Sequence, residues 1–146
     1  MAGHADGLRT VPLFAEVSER QLQRIASKVR ERRFDPGTSV VTAGEIGVEF
    51  YLILEGKAEV QRDGRVVRAL GRGDYFGEMA LLRDRPRSAT VIARGPLTCM
   101  VLTREDLRTI LNANPDIMMR LLETMATRWH DDLPVELRAP EGPIPH

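Results

Sequence analysis

From position 31 to position 102 short apolar-alternating runs are cut off by turns at close intervals, with no long helical stretch between them. "RRF" stops at Pro36-Gly37, "SVVTA" at Gly44, "KAEVQ" at Asp63-Gly64 and "RVVRAL" at "GRGD", while "EFYLILEG", "SATVIA" and "LTCMVL" supply further runs. Asp63-Gly64 between two alternating runs predicts a two-residue hairpin. Many short strands with close turns confine the chain to a compact antiparallel β-roll or jelly roll.

Helices flank that region. In "VSERQLQRIASKV", Ser18 is an N-cap, Gln21 closes a capping box, and Val17 can staple to Leu22. Leu22, Ile25, Ala26 and Val29 fall on one face. Beyond position 102, Thr103 opens a second helix with Asp106 at the capping-box position and Leu107, Ile110 and Leu111 as its stripe. Asn114-Pro115-Asp116 starts a third: an N-cap, a proline at the first helical position and an acid in the first turn. It is expected to run to about His130, with Ile117, Met118, Leu121, Leu122, Met125 and Trp129 on its apolar side. The expected plan is mainly β with flanking helices: a flexible N-terminus (1–12), one domain (13–130) comprising an N-terminal helix, a β-roll (31–102) and two C-terminal helices (103–130), and a Pro-rich tail (131–146).

Composition narrows the function classes. The 146 residues carry 21 basic and 21 acidic side chains, so net charge gives no footprint for nucleic acid or an anionic membrane. A single cysteine, Cys99, excludes an intrachain disulfide framework and fits a reducing compartment. No signal peptide and no apolar run of membrane-spanning length is present, so the chain reads as cytoplasmic. No strand carries a histidine and no nucleophile has an evident histidine partner, so neither a metal site nor a catalytic constellation is expected.

The stretch "YFGEMALLRDRPRSATV" is unlike the rest. Gly77 lets the backbone turn sharply and lets another molecule come close. Behind it "GEMALL" can make a short helical turn whose unpaired N–H groups suit a phosphate, and Ala80 keeps the approach open. Arg87 adds a permanent charge and a fork of donors that matches two phosphate oxygens. Pro86 sets the direction in which the chain leaves, and Ser88 contributes a hydroxyl. Glu78 would repel a phosphate, so it must face another part of the ligand. Ionised, it only accepts hydrogen bonds, and a sugar hydroxyl is a suitable partner. The two charges therefore read opposite edges of one small molecule.

This segment resembles the phosphate-binding cassette of the cyclic-nucleotide-binding domain family, roughly F-G-E-[LIM]-A-L-x4-P-R-[AST]-A. Phe76, Gly77, Glu78, Met79, Ala80, Leu81, Pro86, Arg87, Ser88 and Ala89 all fit it at the right spacing. The resemblance implies that Glu78 binds a ribose 2′-hydroxyl. It implies that the backbone of Gly77, Met79 and Ala80, with Arg87 and Ser88, holds a cyclic phosphate. It also implies a lid from the last helix, with Met125, Arg128 and Trp129 as candidates, although Trp129 reads more readily as a core or helix-packing residue than as a base platform. Arg83 and Arg85 read as solvated loop charges.

The implied function is a non-catalytic sensor whose residues 103–130 rearrange on binding. The ligand is cyclic AMP in first place; Ser88 leaves cyclic GMP open, and the Ala/Arg/Gly/Leu-rich texture suggests a bacterial chain. A downstream protein or fused effector is expected, since the reading also admits a regulatory domain of a larger enzyme, channel or transporter. A homodimer through the flanking helices and a ligand-free interaction scaffold stay open. A DNA-binding regulator would need a helix-turn-helix, for which residues 131–146 leave no expected room.

Overall fold

The computed structural model describes residues 4–78 and 86–132; of residues 4–6 and 129–132 it describes the backbone alone. The elements are α1 (His4–Arg9), a 3-10 turn (Pro12–Phe14), α2 (Glu19–Ala26), β1 (Arg30–Phe34), β2 (Ser39–Val41), β3 (Glu49–Glu55), β4 (Ala58–Arg62), β5 (Arg65–Leu70), β6 (Tyr75–Phe76), β7 (Thr90–Ala93), β8 (Leu97–Thr103), α3 (Arg104–Ala113) and α4 (Pro115–Asp132). The strands form two four-stranded antiparallel sheets, ordered β1-β8-β3-β6 and β2-β7-β4-β5.

Local chemistry sets the element ends. The Ser18 side chain accepts from the Gln21 N–H and Thr103 accepts from the Asp106 N–H, so both caps form as their sequences demand. Between β4 and β5, Asp63 and Gly64 both have positive φ, 53° and 77°, as a two-residue turn that follows the strand twist requires.

Strands β3 and β8 of the first sheet are buried on both faces, which explains the unbroken apolar run Phe50–Ile53. Tyr51, Ile53, Cys99 and Val101 point toward the second sheet and pack with Val41, Ala58, Leu70 and Val91. Phe50, Leu52, Met100 and Leu102 point the other way, into a cluster with Leu22 and Ile25 of α2, Leu107 and Ile110 of α3, and Ile117, Leu121 and Met125 of α4. Each fully buried side chain of this size stabilises by roughly 1.5–3 kcal/mol. That apolar face, rather than any single ion pair, holds the helices on the roll.

Two expectations fail here. The N-terminal 1–12 segment is not loose throughout: α1 forms, and Leu8 and Val11 are buried against the helical cluster. Only two apolar residues within a polar stretch carry this, too few for a periodic signal. On α4, Leu122 is half exposed, because the helix seats itself on the Ile117–Leu121–Met125 line and turns Leu122 outward. The tail beyond Asp132 lies outside the described residues.

Candidate functional site

A cavity of about 320 Å³ opens beside the second sheet, at the lower end of the range of small-molecule pockets. Gly77, Glu78, Pro86, Arg87, Ser88 and Ala89 supply one wall, strands β2, β4, β5 and β7 the other, and Arg128 of α4 reaches in from the helical side. The two charges singled out in the sequence thus meet in one concave site. Met79 and Ala80 lie outside the described residues, as do Arg83 and Arg85.

Arg87 is gripped by a segment that sequence reasoning passed over, the approach to β3. Its N–H donates to the Glu45 carbonyl (2.7 Å) and its carbonyl accepts from the Gly44 N–H (2.9 Å). The side chain then crosses Gly47, and Nη2 donates to the Glu49 carbonyl at 2.9 Å. A Cβ on Gly47 would run into Arg87 Nε, so the glycine is there for clearance and not for a turn. Gly77 has φ +87°, and a Cβ there would sit 2.7 Å from the Glu49 carbonyl and 3.0 Å from Arg87 Nη1. The visible signal was a second glycine in "TAGEIGVEF" that no hairpin needs. Burial lowers the Arg87 pKa, a shift opposed by Tyr51, Glu49 and Glu78 nearby, and the side chain stays a cation at neutral pH.

The carboxylate of Glu49 faces β1. It accepts from Arg30 (2.9 Å), Arg32 (3.5 Å) and the Tyr51 hydroxyl (3.1 Å). Tyr51 stacks on Phe76 with ring centres 4.9 Å apart, which braces the strand just before Gly77. Burial, then the neighbouring Glu49, raises the Tyr51 pKa.

Glu78 is the one buried charged residue among those described. Its Oε1 accepts from Arg128 Nη1 at 2.6 Å, and the Arg128 guanidinium lies 5.0 Å from the centre of the Tyr75 ring. Of the three lid candidates, Arg128 alone is seen in the cavity. Met125 packs into the helical cluster instead, because the same helix face that carries Leu121 carries it. The Trp129 side chain lies outside the described residues. Ser88 lines the cavity, and its carbonyl accepts from Arg62 Nε at 3.4 Å. Cys99 is fully buried between the sheets, and burial pushes its thiol up to about 12, so it is inert. Among the described residues no group of His, Cys, Asp and Glu could hold a metal ion, and no helix is long and apolar enough to cross a membrane.

The arrangement is thus the Arg87 cation and the Arg128-paired carboxylate of Glu78 lining one small cavity. Known proteins similar to this chain are identifiable. The family model described as "Cyclic nucleotide-binding domain" matches residues 31–114. The cAMP-dependent protein kinase regulatory subunit of Yarrowia lipolytica is 40% identical over 106 residues, 71% of this chain and 28% of that protein. The cGMP-dependent protein kinase of Eimeria tenella is 38% identical over 113 residues, 77% of this chain and 11% of that protein. Among solved structures, cAMP-bound PfPKA-R is 27% identical with a TM-score of 0.75, covering 85% of this chain and 44% of that one. The catabolite activator protein of Thermus thermophilus is 29% identical with a TM-score of 0.74, covering 82% of this chain and 59% of that one. The chain therefore spans less than a third of the curated relatives, and their eukaryotic sources lend no support to the bacterial origin suggested by composition. With the roll, the cassette and the family match in agreement, this chain belongs to the cyclic nucleotide-binding domain family.

Proposed function

We propose that the domain spans residues 13–130 and is a cyclic-AMP sensor in which α4 reports on the occupancy of the cavity. The observation that carries this reading is that Glu78 and Arg87 face one cavity, with glycines at 47 and 77 that leave room for the Arg87 side chain. Arg87, Ser88 and the backbone of Gly77, Met79 and Ala80 would hold the cyclic phosphate, and Glu78 the ribose 2′-hydroxyl. Cyclic AMP comes first because a cAMP-dependent kinase subunit and cAMP-bound PfPKA-R are similar to this chain. Cyclic GMP is the second reading, favoured by the similarity to a cGMP-dependent protein kinase.

The signal would be a population shift. Arg128 holds one oxygen of Glu78 and the ribose hydroxyl would take the other, so ligand binding and the seating of α4 would share one carboxylate. A ligand biases α4 only if its contacts differ between the seated and released helix. The output lies in a downstream protein or in a further part of a longer chain, and a homodimer through the helices is compatible with the exposed Met119 and Leu122.

Calorimetric titration with cyclic AMP, cyclic GMP and 5′-AMP tests this reading. One-to-one binding of a cyclic nucleotide with 5′-AMP silent is expected. No heat from any of the three would remove the sensor and leave an interaction scaffold.

A further inference from the structure

Arg128 meets more than a carboxylate at the cavity. Its guanidinium donates to Glu78 at 2.6 Å and also lies 5.0 Å from the centre of the Tyr75 ring. Tyr75 belongs to the roll and not to the helix. It stands opposite Leu52 in the β3–β6 ladder, its ring packs on Phe50 with centres 5.5 Å apart, and the residue is buried. The alternation of β6 turns Phe76 toward the second sheet and Tyr75 toward the helical cluster. The turn at Gly77, with φ +87°, then places Glu78 where the same guanidinium reaches it.

The Tyr75 hydroxyl does not explain the contact. Among the described residues it is the one buried side-chain polar atom without a hydrogen-bond partner, with Thr124 of α4 alongside but short of hydrogen-bond geometry. What Tyr75 offers to α4 is the face of its ring, whose negative charge distribution attracts a cation. The Arg128 side chain is only 16% exposed, so little water competes for that face. The two partners of Arg128 also differ in what a ligand does to them. The Glu78 carboxylate would be shared with a ribose hydroxyl, whereas the ring stays available to Arg128 whether or not the cavity is filled.

Resting on the sensor reading above, we propose that Tyr75 is the positioning residue of the switch: its ring seats Arg128 over Glu78 and so sets the fraction of molecules in which α4 is closed on the cavity. Apparent affinity scales with that fraction, so a residue that touches no ligand tunes ligand binding through the helix.

The test is a titration of the full chain with cyclic AMP, for variants at position 75 alone and combined with Arg128→Ala, with amide exchange of α4 followed in the unliganded protein. Tyr75→Phe keeps the ring face and is expected to bind within about twofold of the wild type. Tyr75→Leu is expected to weaken cyclic AMP by roughly three- to tenfold and to speed amide exchange over residues 121–128. Pentafluorophenylalanine at position 75 keeps the shape of the ring but reverses the charge of its face. It guards against a packing defect and is expected to weaken binding in the same direction as Tyr75→Leu. In the Arg128→Ala background neither change is expected to weaken binding further, because the partner of the ring is gone. Equal losses in both backgrounds would overturn the proposal by assigning the effect to core packing. Wild-type affinity with the fluorinated ring would overturn it as well, while leaving the sensor intact. Failure of the wild type to bind either cyclic AMP or cyclic GMP would instead remove the sensor reading, and this role of Tyr75 with it.

Discussion

Arg128 on the last helix and Glu78 at the cavity form a 2.6 Å ion pair, with 16% and 10% of their side chains exposed. Breaking a fully dry pair costs roughly 3–5 kcal/mol because one charge is left unpaired. Glu78 faces an open cavity, so Arg128→Ala is expected to destabilise by roughly 1–3 kcal/mol, within the range for a buried charged group losing one hydrogen-bond partner. Cyclic AMP should recover part of that loss by donating its ribose hydroxyl to the same carboxylate. Thermal melts with and without ligand check this; an unchanged melting temperature would show that the pair does not matter to the fold.

Glu78→Gln replaces one acceptor with a donor at nearly constant shape. It is expected to weaken cyclic AMP less than loss of Arg87 does and to narrow the preference for cyclic AMP over its 2′-deoxy analogue. Parallel titrations measure the two ratios, and undiminished ribose preference would place the hydroxyl elsewhere.

Arg87→Leu removes charge-assisted hydrogen bonds worth roughly 1.5–3 kcal/mol each. Loss of two weakens binding by roughly a hundredfold or more, since about 1.4 kcal/mol is tenfold. Equal affinity of variant and wild type would show that the phosphate is held by other groups.

Gly47→Ala separates binding from folding. The glycine does not have positive φ, so alanine is allowed by the backbone, and the three atoms nearest the new methyl all belong to the movable end of Arg87. The variant is expected to melt near the wild type but to bind cyclic AMP as poorly as Arg87→Leu. Normal affinity would mean that Arg87 need not cross this glycine.

Cys99 provides a pH test. Its thiol titrates at about 12 in the fold and near its ordinary 9 once exposed. Above pH 9 the unfolded chain releases this proton first, so it binds fewer protons than the native state and stability falls as pH rises toward 12. Tyr51 and Tyr75, both raised by burial, add the same slope from about pH 10 upward. Urea unfolding at a series of pH values should show the fall below pH 10 flattened in Cys99→Ala; an identical slope in that variant would exclude the thiol as the cause.

The strands, both capped helix starts and the Asp63-Gly64 turn were legible because each rests on residues within a few positions of one another. β6 was not, since two residues inside the cassette carry no alternation. Leu8 and Val11 were missed for the same reason, and Leu122 was misassigned because α4 has more apolar residues than its contact face can cover. Of the site, the cassette could be read as a unit. Gly47, Glu49 and Arg68 could not, because nothing near them in the chain marks what they face.

By itself the sequence determined a β-roll between helices and a short segment able to hold a phosphate and a sugar hydroxyl. The reason is physical: alternation, capping and turn preference act over one to four residues. Only the tertiary structure decided that Arg87 crosses Gly47 to reach the Glu49 carbonyl, that Arg68 joins the cavity wall, and that Arg128 rather than Met125 reaches Glu78. Those approaches join residues up to 50 positions apart and depend on how the two sheets and α4 pack, which no local pattern encodes.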